Sequence, residues 1–152
     1  MERKFKSLTT KKEVDLISYL QQQFIDHEDI KIYVGTDSQS RGASTLYAVV
    51  IVLHYGNHGA HVLYSKELTK RVYDSFSRLW KEVEISIEIS EYLRNSGIQK
   101  PEFIDIDFNP DPKYKSNAVL RASLGYIESM GYKPRFKPDG FAATYCADKI
   151  CK

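Results

Sequence analysis

Lys31-Ile-Tyr-Val-Gly-Thr-Asp37 and Glu102-Phe-Ile-Asp-Ile-Asp-Phe-Asn109 are two strand-like stretches that both run out into carboxylates. The apolar residues in each support a strand that lines a core. Asp does not, because it is a poor strand former and costly to bury alone. If the two strands are neighbours in one sheet, their ends bring hard oxygen donors together at a single edge. That donor type suits a divalent cation.

Working outward, the rest of the chain supplies the sheet and its cover. Val14, Ile17, Leu20 and Phe24 recur at helical spacing, so a first helix is expected from a cap at Thr9 or Thr10 to about Phe24, with Glu13 as the acid of a capping box. After the strand ending at Asp37, Ser38-Gln-Ser-Arg-Gly-Ala43 reads as a turn. A second strand is expected over about residues 44–55. Gly56-Asn-His-Gly59 then makes a hairpin connection to a third strand, His61 to Glu67. A long helical pattern covers roughly 71–95 and stops at Gly97. The second Asp-tipped strand follows Pro101. The loop Asn109-Pro-Asp-Pro-Lys113 leads to a helix from Ser116 to about Met130, then a short strand from Tyr132 to Lys137 and a last helix opened by Pro138-Asp-Gly140.

Three strands joined by short turns pair antiparallel, whereas the later strands need helical crossovers and run parallel. The expectation is an α/β fold with a mixed five-stranded sheet, helices on both faces and an extra helix in front. It forms a single domain over residues 1–152, of which 1–29 are a helical extension. At 152 residues and 42% hydrophobic, the chain is long enough for one full core. The longest apolar run, Leu46-Tyr-Ala-Val-Val-Ile-Val-Leu53, is too short to span a bilayer. Met1-Glu-Arg-Lys-Phe-Lys6 lacks the apolar core of a signal peptide, and Cys146 and Cys151 fit no CxxC spacing, so a cytoplasmic protein with reduced thiols and no membrane partner is expected. A net charge of +2 is compatible with nucleic acid without amounting to a basic footprint.

Ile32-Tyr-Val-Gly-Thr-Asp-Ser-Gln39, Asp105-Ile-Asp-Phe-Asn109, and Lys137-Pro-Asp-Gly-Phe-Ala-Ala143 with Ala147-Asp-Lys149 resemble the bacterial YkuK family of ribonuclease H-like proteins. The resemblance covers most of the chain after the first helix. It implies a ribonuclease H-like fold and a carboxylate site, and says much less about the substrate. In enzymes of this fold the first strand carries the central acid that contacts both metals, and Asp37 matches it; the bland reading is a turn Asp bonded to backbone. Asp107 matches the acid of the later strand. Asp105, on the same strand face but one step deeper, would need a partner or a proton. Asn109 continues that face.

The long helix contributes Glu82, Glu84, Glu88 and Glu91, and such runs are usually solvated faces. Glu82 differs, because its helical neighbours are Leu79, Ile85, Ser86 and Ile89. An acid within a packing stripe needs a reason, and a metal between helix and sheet provides one. For a fourth acid the resemblance favours Asp139, near the start of the last helix, although a plain N-cap role also fits it. Asp148 lies nine residues on, roughly 13 Å along a helix, so one compact site takes one of them, not both. The set is thus Asp37, Glu82, Asp107 and Asp139, holding Mg²⁺ or Mn²⁺.

His54, His58 and His61 bracket a hairpin and suggest either a transition metal or a functionless tip. Lys70, Arg71, Lys113, Lys115, Lys133, Arg135 and Lys137 border the expected site and are candidates for phosphate contacts, as are some tyrosines for base stacking. The expected activity is phosphodiester hydrolysis of RNA or DNA by a two-metal carboxylate site. The alternative is a non-catalytic module that binds nucleic acid or protein. Exonucleases of this superfold usually carry Asp-x-Glu on the first strand, where this chain reads Asp37-Ser-Gln39, and the related ATPases need two such domains.

Overall fold

The computed structural model describes residues 3–107, 113, 116–136 and 150–151. Its elements run β1 (Phe5–Ser7), β2 (Glu13–Val14), α1 (Leu16–Asp26), β3 (Lys31–Arg41), β4 (Ser44–His54), β5 (Ala60–Lys70), α2 (Ser75–Asn95), β6 (Phe103–Ile106), α3 (Ser116–Ser129) and β7 (Pro134–Phe136). The sheet order is β2-β1-β5-β4-β3-β6-β7. Among the described residues there are seven strands rather than the expected five. The five expected strands are its contiguous part, β5-β4-β3-β6-β7, and the two additional strands lie along the outer edge of β5.

Those two strands correct the reading of the N-terminus. The Thr9-Thr10 region is a turn, in which the Lys11 N–H donates to the Ser7 carbonyl at 2.8 Å and the Ser7 N–H to the Lys12 carbonyl at 3.0 Å. Lys11 takes a positive φ of 62°. The chain then returns so that Phe5 pairs with Val14. Asp15 is the N-cap, and α1 begins at Leu16, several residues later than the apolar period suggested. The period holds in part: Leu20 is buried and Ile17 and Phe24 pack against the same core, whereas Val14 belongs to β2 and Leu16, outside the expected period, is buried in α1.

A second correction concerns β3. Ser38-Gln-Ser-Arg is not a turn, because β3 and β4 pair antiparallel without a break from Lys31↔His54 to Arg41↔Ser44. Only two residues remain for the reversal, and Gly42 supplies the left-handed φ of 57° that a tight hairpin needs. Asp37 is therefore in mid-strand, opposite Ala48. Here the long apolar partner strand overrides a polar local sequence.

All three described helices share one face of the sheet. Leu16 and Leu20 of α1 and Ile85, Ile89 and Leu93 of α2 close a core with Ile32, Val34, Tyr47, Val49, Ile51 and Leu63. Val83 and Ile87 of α2 join Val119, Leu120 and Ile127 of α3 over Ile104 and Ile106. On the opposite face Val50 and Val52 pack with Tyr33, Val62, Tyr64 and Ile150. Ile150 and Cys151 are the described part of the expected last helix, so its cover of the second face is seen only there. Among the described residues no helix is long and apolar enough to cross a membrane.

Candidate active site

Register places the first two acids. β3 and β6 pair in parallel over Tyr33↔Phe103, Val34↔Ile104 and Gly35↔Asp105, after which β6 ends at Ile106. Asp37 and Asp107 each lie two residues beyond that last pair, Asp37 still within β3 and Asp107 just past the end of β6. Odd-numbered residues of both strands point to one face. The two half-buried acids thus flank the point where neighbouring strands part company.

Glu82 approaches β3 from α2, on the face of the sheet that carries Ser38. Its side chain is buried, with 4% of the residue exposed. Ser38, next to Asp37 on the opposite face of β3, donates its hydroxyl to Glu82 Oε1 at 2.5 Å. One helical turn on, the Ser86 and Thr36 hydroxyls lie 2.7 Å apart, and the Ser90 hydroxyl donates to the Ser86 carbonyl at 2.7 Å. Two hydroxyl contacts and a run of small residues hold α2 tightly on β3, which brings a helical carboxylate down to the sheet. Burial pushes the Glu82 carboxyl well above its ordinary range, and the negative charge of Asp37 pushes the same way, with a smaller push from Asp107. The Ser38 hydrogen bond and the Arg78 guanidinium oppose this shift. The charges of Asp37 on β3 and of Asp107 just past β6 therefore both act on Glu82.

The other helical acids fall where the wheel placed them or close to it. Glu84 and Glu88 are exposed, and Glu91 accepts a hydrogen bond from the Tyr132 hydroxyl at 2.6 Å. Lys81 sits 3.9 Å from Glu67 on β5. Asp105 is engaged by a cation. It takes a forked ion pair from Arg135, Nε to Oδ1 at 2.8 Å and an Nη to Oδ2 at 2.9 Å. The buried Asp needed a partner, and Arg135, a candidate phosphate contact on sequence, is that partner.

Asp139, Asp148, Asn109, Lys115 and Lys137 lie outside the described residues. The histidines are at the other end of the sheet: His54 pairs with Lys31, six rungs from Asp37. His61 Nε2 is 3.3 Å from the Ser7 hydroxyl, and His58 is exposed. Arg71 donates to the Gly42 carbonyl at 2.8 Å and sits over the exposed Tyr73 ring. Sequence reasoning missed Ser38, Thr36 and Ser86, although a polar stripe on a buried strand facing small residues on a helix is a legible sign of a close hydrogen-bonded approach.

A model of the ribonuclease H-like family matches residues 14–152. The chain belongs to the ribonuclease H-like family. Among solved structures it is similar to the N-terminal RNase H domain of a Mycobacterium tuberculosis protein, solved as a fusion with maltose-binding protein. The identity is 12%, the TM-score 0.39, and 81% of this chain and 94% of that one are covered. It is also similar to RNase H1 from the halophilic archaeon Halobacterium salinarum, at 16% identity and a TM-score of 0.38, covering 71% of this chain and 86% of that one. No curated protein matches it.

Asp37, Glu82 and Asp107 are all carboxylates, the oxygen type that suits a hard cation. Among the described residues no three His, Cys, Asp or Glu side chains are grouped so as to hold an ion by themselves. The three acids match a hard divalent ion in donor type only, and the fourth candidate lies outside the described residues.

Proposed function

We propose that this ribonuclease H-like protein is a divalent-metal-dependent phosphodiesterase acting on RNA or DNA, and that it belongs to the bacterial YkuK branch of the family. In this reading the whole chain is one domain working in the cytoplasm, with Asp37, Glu82, Asp107 and Asp139 holding Mg²⁺ or Mn²⁺. The observation that carries it is Glu82, a carboxylate kept in a packed interface, bonded to Ser38 and under the charge of Asp37 and Asp107.

Bound ions of this type supply an activated water and shield the developing charge on the leaving oxygen. The chain's own part is positional. Ser38 holds one oxygen of Glu82, the Thr36–Ser86 contact holds the helix that carries it, and the β3–β6 pairing ends two residues short of Asp37 and Asp107. No side-chain nucleophile is needed. A cleavage screen over labelled RNA, DNA and hybrid duplexes with Mg²⁺, Mn²⁺ or chelator tests the proposal, with Asp37→Asn as the control. Metal-dependent cleavage lost in that variant supports it, and cleavage that survives chelator or Asp37→Asn sinks it.

A second reading is a non-catalytic module that binds nucleic acid or protein. It is favoured by the lack of a closed three-ligand group among the described residues. Absence of Mn²⁺ binding together with retained nucleic-acid binding would select it.

A further inference from the structure

We propose that Arg78 and the hydroxyl of Tyr47 form an anion subsite beside the acid cluster that holds a backbone phosphate of the bound nucleic-acid strand. The proposal deepens the nuclease reading and rests on it. Arg78 is one helical turn before Glu82 on α2, so both side chains lie on the same flank of the helix. Its charge acts on Glu82 and on Tyr47 alike. Among the described residues its half-buried guanidinium donates no hydrogen bond and makes no ion pair, whereas nearby cations are committed. Arg135 is locked to Asp105, Lys81 lies between Glu67 and the Tyr47 ring, and Arg71 bonds the Gly42 carbonyl.

Tyr47 is the independent observation. It pairs across β3–β4 with Ser38, the residue that holds Glu82, and so shares that face of the sheet. The side chain is buried, with 1% of the residue exposed, yet its hydroxyl has no hydrogen-bond partner among the described residues. The charges of Glu82, Arg78 and Glu67 act on the hydroxyl, and a phenol O–H is a donor at neutral pH without any shift. An orphaned donor in a core is costly unless something accepts from it. A phosphate oxygen drawn in by Arg78 meets both needs: the guanidinium fork offers paired N–H groups to two phosphate oxygens, and the tyrosine O–H adds a third donor from below.

The test measures binding apart from chemistry. A short fluorescein-labelled oligouridylate and its deoxythymidylate counterpart are titrated with the intact protein in Ca²⁺, across a range of salt. Wild type is compared with Arg78→Gln, Arg78→Lys and Tyr47→Phe. Arg78→Gln should weaken binding about tenfold or more and flatten the salt dependence by about 0.7 in log–log slope, the share of one phosphate contact on a single strand. Arg78→Lys keeps the charge but not the fork, so the slope should return while affinity recovers only in part. Tyr47→Phe should weaken binding severalfold with the slope unchanged, since it removes a donor and no charge. The Mn²⁺-induced rise in melting temperature should survive in Arg78→Gln. Loss of that rise in every variant and in wild type would overturn the metal reading alone. Wild-type affinity and slope in Arg78→Gln would overturn the subsite.

Discussion

Removing Arg135 should destabilise this protein through the buried Asp105. Asp105 has a fully buried side chain, and Arg135 is 17% exposed. Two charge-assisted bonds of 2.8 and 2.9 Å join them. The guanidinium also lies 4.7 Å from the Tyr33 ring centroid and 4.9 Å from that of Phe103, rings that are themselves parallel to within 3°. Arg135→Met would leave a buried carboxylate without this cation, and truncating one partner of such a pair costs about 3–5 kcal/mol. In a domain of this size each kcal/mol moves the melting temperature by about 2–4 °C, so a drop of roughly 6–20 °C is expected. Asp105→Asn should be milder, because the amide retains one acceptor for Arg135. The double variant Asp105→Leu with Arg135→Met should recover part of the loss, since an apolar pair of similar volume avoids the buried charge. Thermal and urea melts of the three variants, taken with a cleavage assay, check this. A wild-type melt for Arg135→Met would refute the argument. So would an Asp105→Asn protein of full stability and no activity, because that would make Asp105 a ligand and not a structural anion.

Asp37→Asn should abolish metal-dependent cleavage and leave the melting profile native or slightly higher, because one charge leaves a crowded acidic cluster; circular dichroism melts beside the cleavage assay read both. Saturating Mn²⁺ or Mg²⁺ should stabilise the fold by about 2.7 kcal/mol at roughly 100 times its dissociation constant, seen as a shift of about 5–11 °C by calorimetry. Glu82→Gln should lose cleavage while Glu84→Gln behaves as wild type, and the reverse ranking would mean that α2 is rotated. The raised folded-state pKa of Glu82 also fixes a sign. In metal-free buffer its contribution is fully present below the unfolded value of about 4.3 and is lost as pH rises through the raised value, so wild-type stability should fall over that window and Glu82→Gln should flatten the fall. Asp139→Asn should reduce activity more than Asp148→Asn, with little change in melting for either, if the fourth ligand stands at the start of the last helix.

Local patterns determined a good deal. The helical spacing of Ile17, Leu20 and Phe24, the eleven-residue strand that includes Leu46 to Leu53, the stop at Gly97 and the isolation of Glu82 from Glu84 were all legible, because each depends on residues a few positions apart. The deep position of Asp105, and its need for a partner, followed from strand alternation. What only the tertiary structure decided were the long-range choices. Ser38-Gln-Ser-Arg became strand because β4 offered an unbroken ladder, and Phe5–Ser7 joined the sheet on the open edge of β5, with Glu13–Val14 pairing on it in turn. Arg135 went to Asp105 because parallel pairing sets them side by side. Tyr47 and Arg78 came to share a flank of Glu82 because α2 lies across β3 and β4. No local rule carries such facts, since the partner that lowers the free energy of each group is tens of residues away in the chain and becomes a neighbour only once the sheet has formed.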